Sequence, residues 1–302
     1  MPAAAATTNA SKANEDSLQH SKAFTDEDSC GEDRPRRTAP ISTTASDSSG
    51  DATVDSADDA RTPWPAYGPQ DGALTTLSDD RQAGETRQQT VKSLAIITEA
   101  YDKYKPEELC LAFNGGKDCT VLLHMVDHVF RQKHSEGVPL KTLYIADPKN
   151  DTFEEVESFI ADMQKIYNLD IMRVVGGVKV GLERVKEEHP EVKAIFMGSR
   201  STDPYCGDLV PFARTSEGWP DFMRVNPILD WSYRDVWEFI DLYGVQYCEL
   251  YKYGYTSIGR KSDTIPNPDL LIRDDDGHAH YKHARELVDG SKERSGRYVK
   301  RQ

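Results

Sequence analysis

From Thr86 onward the chain alternates between two hydrophobic rhythms. Val91, Leu94, Ala95, Thr98 and Tyr101 recur at helical spacing and predict an amphipathic helix ending near Pro106. A short apolar run from Leu109 to Phe113 then reads as a strand. After Gly115 and Gly116, the positions Val121, Leu122, Met125, Val126 and Val129 resume the helical period, in a helix that opens at Lys117 or Asp118. The alternation continues with a strand from Leu140 to Ala146, a helix from Phe153 to Tyr167, a strand from Asp170 to Val175, a helix from Val180 to His189 and a strand from Ala194 to Met197. Strands alternating with helices of this length predict an α/β fold with a doubly wound, mostly parallel sheet. Ligands of such sheets lie beyond the carboxyl ends of the strands. That directs attention to Phe113-Asn114, Ala146-Asp147, Val175-Gly176 and Gly198-Ser199-Arg200.

The pattern changes after the fourth strand. Residues 199–227 are dense in Arg, Asp and Trp with little regular periodicity, as expected of a functional loop. Order returns at Trp231-Ser232-Tyr233-Arg234-Asp235, where Ser232 is placed to cap a helix, Asp235 to complete a capping box and Trp231 to staple against Val236. Trp237, Phe239 and Ile240 then read as core. Four tyrosines between Tyr247 and Tyr255 read as packing aromatics with their hydroxyls at the edge, and Thr256 to Gly259 and Pro266 to Pro268 as turns. Residues 282–302 carry 7 basic and 3 acidic side chains, either a solvated tail or an arm folding over an anionic ligand.

Charge changes the picture at the beginning of the chain. Residues 1–85 hold 16 acidic and 7 basic groups, a net of −9 out of the formal −14 for 302 residues. Rich in Ala, Ser, Thr, Asp and Gly, this segment lacks the apolar surface to offset its ordering entropy and reads as a disordered acidic tail and linker. Trp64 and Tyr67, in its proline- and glycine-rich stretch, could dock on the body, but that stretch reads as a solvated linker. The body, residues 86–302, is nearer neutrality and can receive an anionic substrate. It divides into an α/β core (86–200) and a region of loops, helix and C-terminal arm (201–302). No stretch has the length of a membrane span or the layout of a targeting peptide, and the five cysteines show no C-x-x-C or zinc spacing, which fits a cytoplasmic protein. Negative charge argues against nucleic acid as a partner.

The chemistry centres on Asn114-Gly115-Gly116-Lys117-Asp118-Cys119. Adjacent glycines between strand and helix permit positive φ and close approach to a ligand, and the helix start presents unpaired N–H groups that suit a phosphate. The alternative is a tight turn in which glycine only relieves sterics. The run is neither a Walker loop nor the dinucleotide fingerprint. It resembles the S-G-G-x-D-S loop of the ATP pyrophosphatase (PP-loop) superfamily, with Asn114 and Cys119 where serines are usual.

Further pieces point the same way. The runs G-S-R-S-T-D-P with G-D-L, R-T-S-E-G-W-P-D-F-M-R, Y-T-S-I-G, P-N-P-D-L and E-R-S-G-R, in that order over residues 88–300, resemble the eukaryotic FAD synthase (FMN adenylyltransferase) family, in the PAPS reductase-like branch of that superfamily. The resemblance implies a nucleotidyltransferase that joins FMN to the α-phosphate of ATP with Mg²⁺, releasing pyrophosphate. It implies that Gly115, Gly116, Lys117, Asp118 and Cys119 cradle pyrophosphate, and that Asn114, Asp118, Arg200 and Asp203 stand by the reacting phosphates. Ala112, Phe113, Ile145 and Gly198 would receive the adenine half. Ser216, Trp219, Arg224, Arg294 and Arg297 would line the flavin side, with Ser216 replacing a carboxylate usual in the family. The metal would be held mainly by substrate phosphates, with Asp118 as the protein ligand to consider.

An ionised FMN phosphate needs no general base, so catalysis reduces to neutralising charge and aligning the reactants. Two other readings of the residues remain: a PAPS reductase, which would need a nucleophilic cysteine near the C-terminus, where the last cysteine is Cys248; and a nucleotide-binding protein without turnover.

Overall fold

The computed structural model describes residues 81–134, 137–146, 149 and 151–297. The expectations for the acidic segment before residue 81, including Trp64 and Tyr67, for Asp147 and for the last five residues lie outside the described residues. Helix α1 (Arg81–Lys103) begins five residues earlier than the apolar pattern does. Its first turns contain no large apolar side chain, so hydrophobic periodicity carries no signal there. The helix is as expected but its buried face is not. Thr86, Thr90, Ser93, Ile97 and Ala100 face inward, while Val91 is 52% exposed. Hydroxyls can occupy that face because each finds an acceptor: Thr90 Oγ1 donates to Thr86 O at 2.8 Å, and Ser93 Oγ to Pro227 O at 2.8 Å.

Strand β1 (Leu109–Ala112) is apolar throughout because helices cover both faces of the sheet. It leads through the glycine pair into α2 (Lys117–Lys133), and β2 (Leu140–Ala146), α3 (Glu154–Ile166), β3 (Leu169–Val175), α4 (Val178–Glu188) and β4 (Ala194–Phe196) follow close to the predicted bounds. The segment from 199 to 227 is more ordered than its composition suggests. It contains β5 (Phe212–Arg214) and β6 (Met223–Val225), which extend the sheet in the order β3-β2-β1-β4-β6-β5. All neighbours are parallel except β5 and β6. Three-residue strands leave too short a record for a period-two pattern. Their pairing partners define them.

The direction of winding reverses between β1 and β4. One leads outward to β2 and β3, the other to β6 and β5, and the crevice opens where their carboxyl ends diverge. Helix α5 (Tyr233–Tyr243) starts with the expected reciprocal cap: Asp235 N donates to Ser232 Oγ at 3.2 Å, and Ser232 N to Asp235 Oδ2 at 2.8 Å. Trp231, Val236, Trp237, Phe239 and Ile240 are all buried in the main core. Trp231 Nε1 also donates to Ser93 Oγ at 2.9 Å, which ties the α5 entry to α1. A hairpin of β7 (Leu271–Arg273) and β8 (Ala279–Tyr281), absent from the sequence reading, precedes the C-terminal arm. None of the described helices is long and apolar enough to cross a membrane.

Candidate active site

The corner after β1 is set by backbone geometry. Gly115 has φ +76°, a left-handed conformation that penalises any side chain, and a Cβ there would stand 3.2 Å from both Val156 and Ile160 of α3. Asn114 pins the turn from within: its Oδ1 accepts from Gly116 N at 3.0 Å and from the Cys119 thiol at 2.9 Å. The amide of Asn114 keeps its Nδ2 without a hydrogen-bond partner among the described residues. Lys117 N, at the first position of α2, donates to the Tyr251 hydroxyl at 2.8 Å. Three of the loop's amides, those of Asn114, Gly116 and Lys117, are therefore already engaged by the protein, the first by the Cys119 sulfur at 3.5 Å. Any phosphate cradle would use the remaining amides with the side chains.

Those side chains form a buried charge cluster. Lys117 and Arg200 are each 1% exposed. Lys117 Nζ contacts Asp118 Oδ2 at 3.0 Å and pairs closely with Glu293 Oε1, and it lies 5.1 Å from the centroid of the Tyr233 ring. Arg200 Nε is 2.9 Å from Asp118 Oδ1, its Nη2 is 2.5 Å from Glu293 Oε2, and its backbone N–H donates to Asp203 Oδ2 at 2.8 Å. The Arg200–Asp118 contact is an ion pair out of hydrogen-bond alignment, since neither Asp118 Oδ1 nor Arg200 Nε has a hydrogen-bond partner. Burial works to raise the Asp118 carboxyl, but Lys117 and Arg200 outweigh it and hold its pKa below the ordinary value. Asp203 is raised by burial despite Arg200. The Cys119 thiol is pushed up to about 12 by burial, which keeps it protonated and poorly nucleophilic at neutral pH.

Above this cluster opens a cavity of about 410 Å³. Its wall brings together most of the residues singled out from the sequence: Ala112, Phe113, Asn114, Gly116, Lys117, Asp118, Cys119, Ile145, Gly198, Asp203, Arg294 and Arg297. Gly115 shapes the corner from below. Arg200 is not on the wall. It stands behind Asp118 and Asp203, so the expectation that it flanks the phosphates directly is revised: burial places it one layer back, where carboxylates claim it. Ser216, Trp219 and Arg224 are not on the wall either. Trp219 packs, partly buried, against the core cluster that holds Leu182, Val185 and Phe222, and Arg224 is buried with Nη2 donating to Arg214 O at 3.0 Å, bracing β5 against β6. Tyr251 and Glu293 do line the cavity and were missed. Their partner Lys117 lies 134 and 176 residues away, so local sequence holds no trace of either contact.

No group of three His, Cys, Asp or Glu side chains among the described residues could hold a metal by itself. Asp118, Asp203 and Glu293 are the carboxylates lining the cavity, and Asp118 Oδ1 lacks a hydrogen bond although Arg200 Nε stands 2.9 Å away. This arrangement fits a divalent cation carried in mainly by substrate phosphates.

Residues 108–191 and 178–266 match the family model of the phosphoadenosine phosphosulfate reductase domain. The probable FAD synthase of Schizosaccharomyces pombe is 39% identical over 208 residues, 68% of this chain and 77% of that protein. The probable FAD synthase of Caenorhabditis elegans is 38% identical over 222 residues; the match takes in 72% of this chain but spans only 42% of that longer protein. The crystal structure of Candida glabrata FMN adenylyltransferase in complex with FMN and the ATP analogue AMPCPP aligns with a TM-score of 0.69 at 27% identity, over 76% of this chain and 93% of that one. With the PP-loop corner, the buried lysine and the returning arginine arm in one cavity, the chain belongs to the FAD synthase family of phosphoadenosine phosphosulfate reductase-like proteins.

Proposed function

We propose that the protein is an FMN adenylyltransferase: it transfers AMP from ATP to the 5′-phosphate of FMN, giving FAD and pyrophosphate. The observation that carries this reading is one cavity lined both by residues of the corner from Asn114 to Cys119 and by Arg294 and Arg297, about 180 residues further along the chain. A site for one nucleotide would not need both. Support also comes from the relatives, the Candida glabrata enzyme having been solved with FMN and an ATP analogue together.

The chain's own residues account for the chemistry by position and charge. Ala112, Phe113, Ile145 and Gly198 offer an apolar slot at the strand ends for adenine. Asn114 Nδ2 and the Lys117 ammonium present donors toward the triphosphate, while Arg200 fixes Asp118 and Asp203 in place. Arg294 and Arg297 bring positive charge to the flavin phosphate side, where repulsion between two anionic reactants must be overcome. Asp118 and Asp203 would hold Mg²⁺ arriving with ATP, which supplies further neutralisation of the phosphates when bound. The attacking FMN oxygen is already ionised at neutral pH, so the absence of a patterned histidine base is no obstacle. Ser216, Trp219 and Arg224 are assigned to the rim on the flavin side, since Trp219 packs against the same core cluster as the wall residues Ala112 and Ile145.

Incubation with FMN, ATP and Mg²⁺ tests the proposal: FAD and pyrophosphate should appear in equal amounts. Sulfite release from PAPS with thioredoxin would favour a reductase instead. Cys248 argues against that alternative, since it is fully buried in the main core with no route to a substrate.

A further inference from the structure

The C-terminal arm is seated by residues 256–267, a stretch that the sequence presents as two unrelated turns and their connection. Thr256 Oγ1 donates to Glu293 O at 2.6 Å. Asn267 Nδ2 donates to Thr256 Oγ1 at 2.9 Å and to Lys292 O at 2.9 Å. Ile265 N donates to Gly296 O at 2.9 Å, and Thr264 forms an antiparallel bridge with Arg297. Gly259 completes the seat, since a Cβ there would fall 2.0 Å from the Arg297 guanidinium, inside contact distance of the group that faces the cavity. The backbone from 293 to 297 is thus fixed as one piece. Its two arginines and its one glutamate cannot move independently.

Glu293 sits at the inner end of this piece. Its residue is 8% exposed, and its two carboxylate oxygens go to two cations from different parts of the sheet. Lys117 belongs to the turn after β1 and Arg200 to the turn after β4, and these are the two strands between which the crevice opens. Asp118 also touches both cations, but it is Lys117's chain neighbour and reports nothing about the arm. Of the carboxylates in the cluster, only Glu293 comes from the segment that carries Arg294 and Arg297. Two positive and three negative groups (Lys117, Arg200; Asp118, Asp203, Glu293) leave the cluster at −1 without ligands. The phosphate-facing lysine is therefore shared between the arm and any nucleotide rather than free.

We infer that Glu293 is a positioning residue that clamps the Lys117–Arg200 pair to the arginine arm, so that the ATP half and the FMN half of the site are ordered together and each substrate tightens the other. The clamp rests on the adenylyl-transfer reading above. An ATP analogue settling on the corner stabilises the arrangement of Lys117 that Glu293 grips, and the arm with Arg294 and Arg297 is held closed for FMN. By linkage FMN does the same for the analogue. A glutamate needed only to compensate buried charge would affect stability and leave this reciprocity untouched.

The test uses the full chain and flavin fluorescence to measure FMN affinity with and without a non-hydrolysable ATP analogue and Mg²⁺. In the wild type the analogue should tighten FMN about fivefold or more, within the usual range of such couplings. In Glu293→Gln the factor should fall below about twofold, even where each ligand still binds alone. Glu293→Asp keeps the charge but loses the reach to span both cations, and it should also lose at least half of the coupling; it decides the matter should the glutamine variant not fold. Undiminished coupling in either folded variant overturns the inference alone, as does a wild type that makes FAD yet shows no tightening. A wild type that binds neither FMN nor the analogue and makes no FAD overturns the adenylyl-transfer reading and the clamp with it.

Discussion

Replacing Tyr251 with phenylalanine isolates one hydrogen bond at the corner of the site. Tyr251 is 1% exposed, and its ring meets Trp237 at a centroid distance of 5.4 Å, a contact that phenylalanine keeps. Only the hydroxyl is lost, and with it the acceptor for Lys117 N at 2.8 Å. That amide opens α2 and has no intrahelical partner. A buried donor left unsatisfied costs about 1–3 kcal/mol, partly offset because the phenol no longer has to be desolvated, so the net loss should be about 1–2 kcal/mol. Urea unfolding of the full chain measures it, read as a lower midpoint at unchanged slope. Because the corner loses its brace while the arm does not, the KM for ATP should rise about threefold or more with that for FMN held within about twofold. A stability loss under about 0.5 kcal/mol together with an unchanged KM for ATP would refute the argument that Tyr251 fixes the loop.

Asp118→Ala and Asn114→Ala should each lower kcat about tenfold or more in an FAD-formation assay, and wild-type turnover in either would remove that side chain from the chemistry. Asp118 also gives a pH signature: its pKa is depressed in the folded state, so its stabilisation is complete above the unfolded value of about 3.9 and is lost as pH falls through the lower folded one. The stability gap between wild type and Asp118→Asn should therefore narrow below about pH 4; a gap that widens there contradicts the assigned direction. Arg297→Ala should weaken FMN binding more than ATP binding, with Gly259→Ala mimicking it by displacing the guanidinium, and equal loss of both substrates would contradict the placement of the arm. Iodoacetamide at about pH 8 should leave activity intact, because burial keeps the Cys119 thiol neutral; rapid inactivation that traces to Cys119 would show it to be exposed and ionised.

Which parts of this molecule could be read from sequence follows from how far apart the interacting residues lie. The corner from Asn114 to Cys119 was legible because a strand, two glycines and a helix start are contiguous, and α5 because Ser232 and Asp235 cap it within one turn. Helix α1 was found but turned the wrong way. Its inward side is carried by Thr86, Thr90 and Ser93, whose hydroxyls are acceptable inside only because acceptors such as Pro227 O are there to meet them. Strands β5 and β6 went unseen since three residues beside β4 become a strand by pairing and not by composition. Arg200 was singled out from its motif, but its depth behind Asp118 and Asp203 is a property of the packed charge cluster. Glu293 opens the E-R-S-G-R run and Tyr251 lies among the four tyrosines, but nothing in either stretch marks their contacts with Lys117, 176 and 134 residues away.

The seat of the arm has a consequence for how the chain is made. Lys117 and Arg200 are synthesised long before Glu293, yet both end up almost wholly shielded from water against its carboxylate. On a ribosome adding about 5–20 residues per second, the sheet can assemble before the segment around Glu293 has emerged. During that interval the two cations sit beside an open groove without one of their counter-charges. The nascent protein is thus a complete sheet with an incomplete centre, and synthesis of the segment around Glu293, rather than formation of the core, is the step that completes the charge cluster.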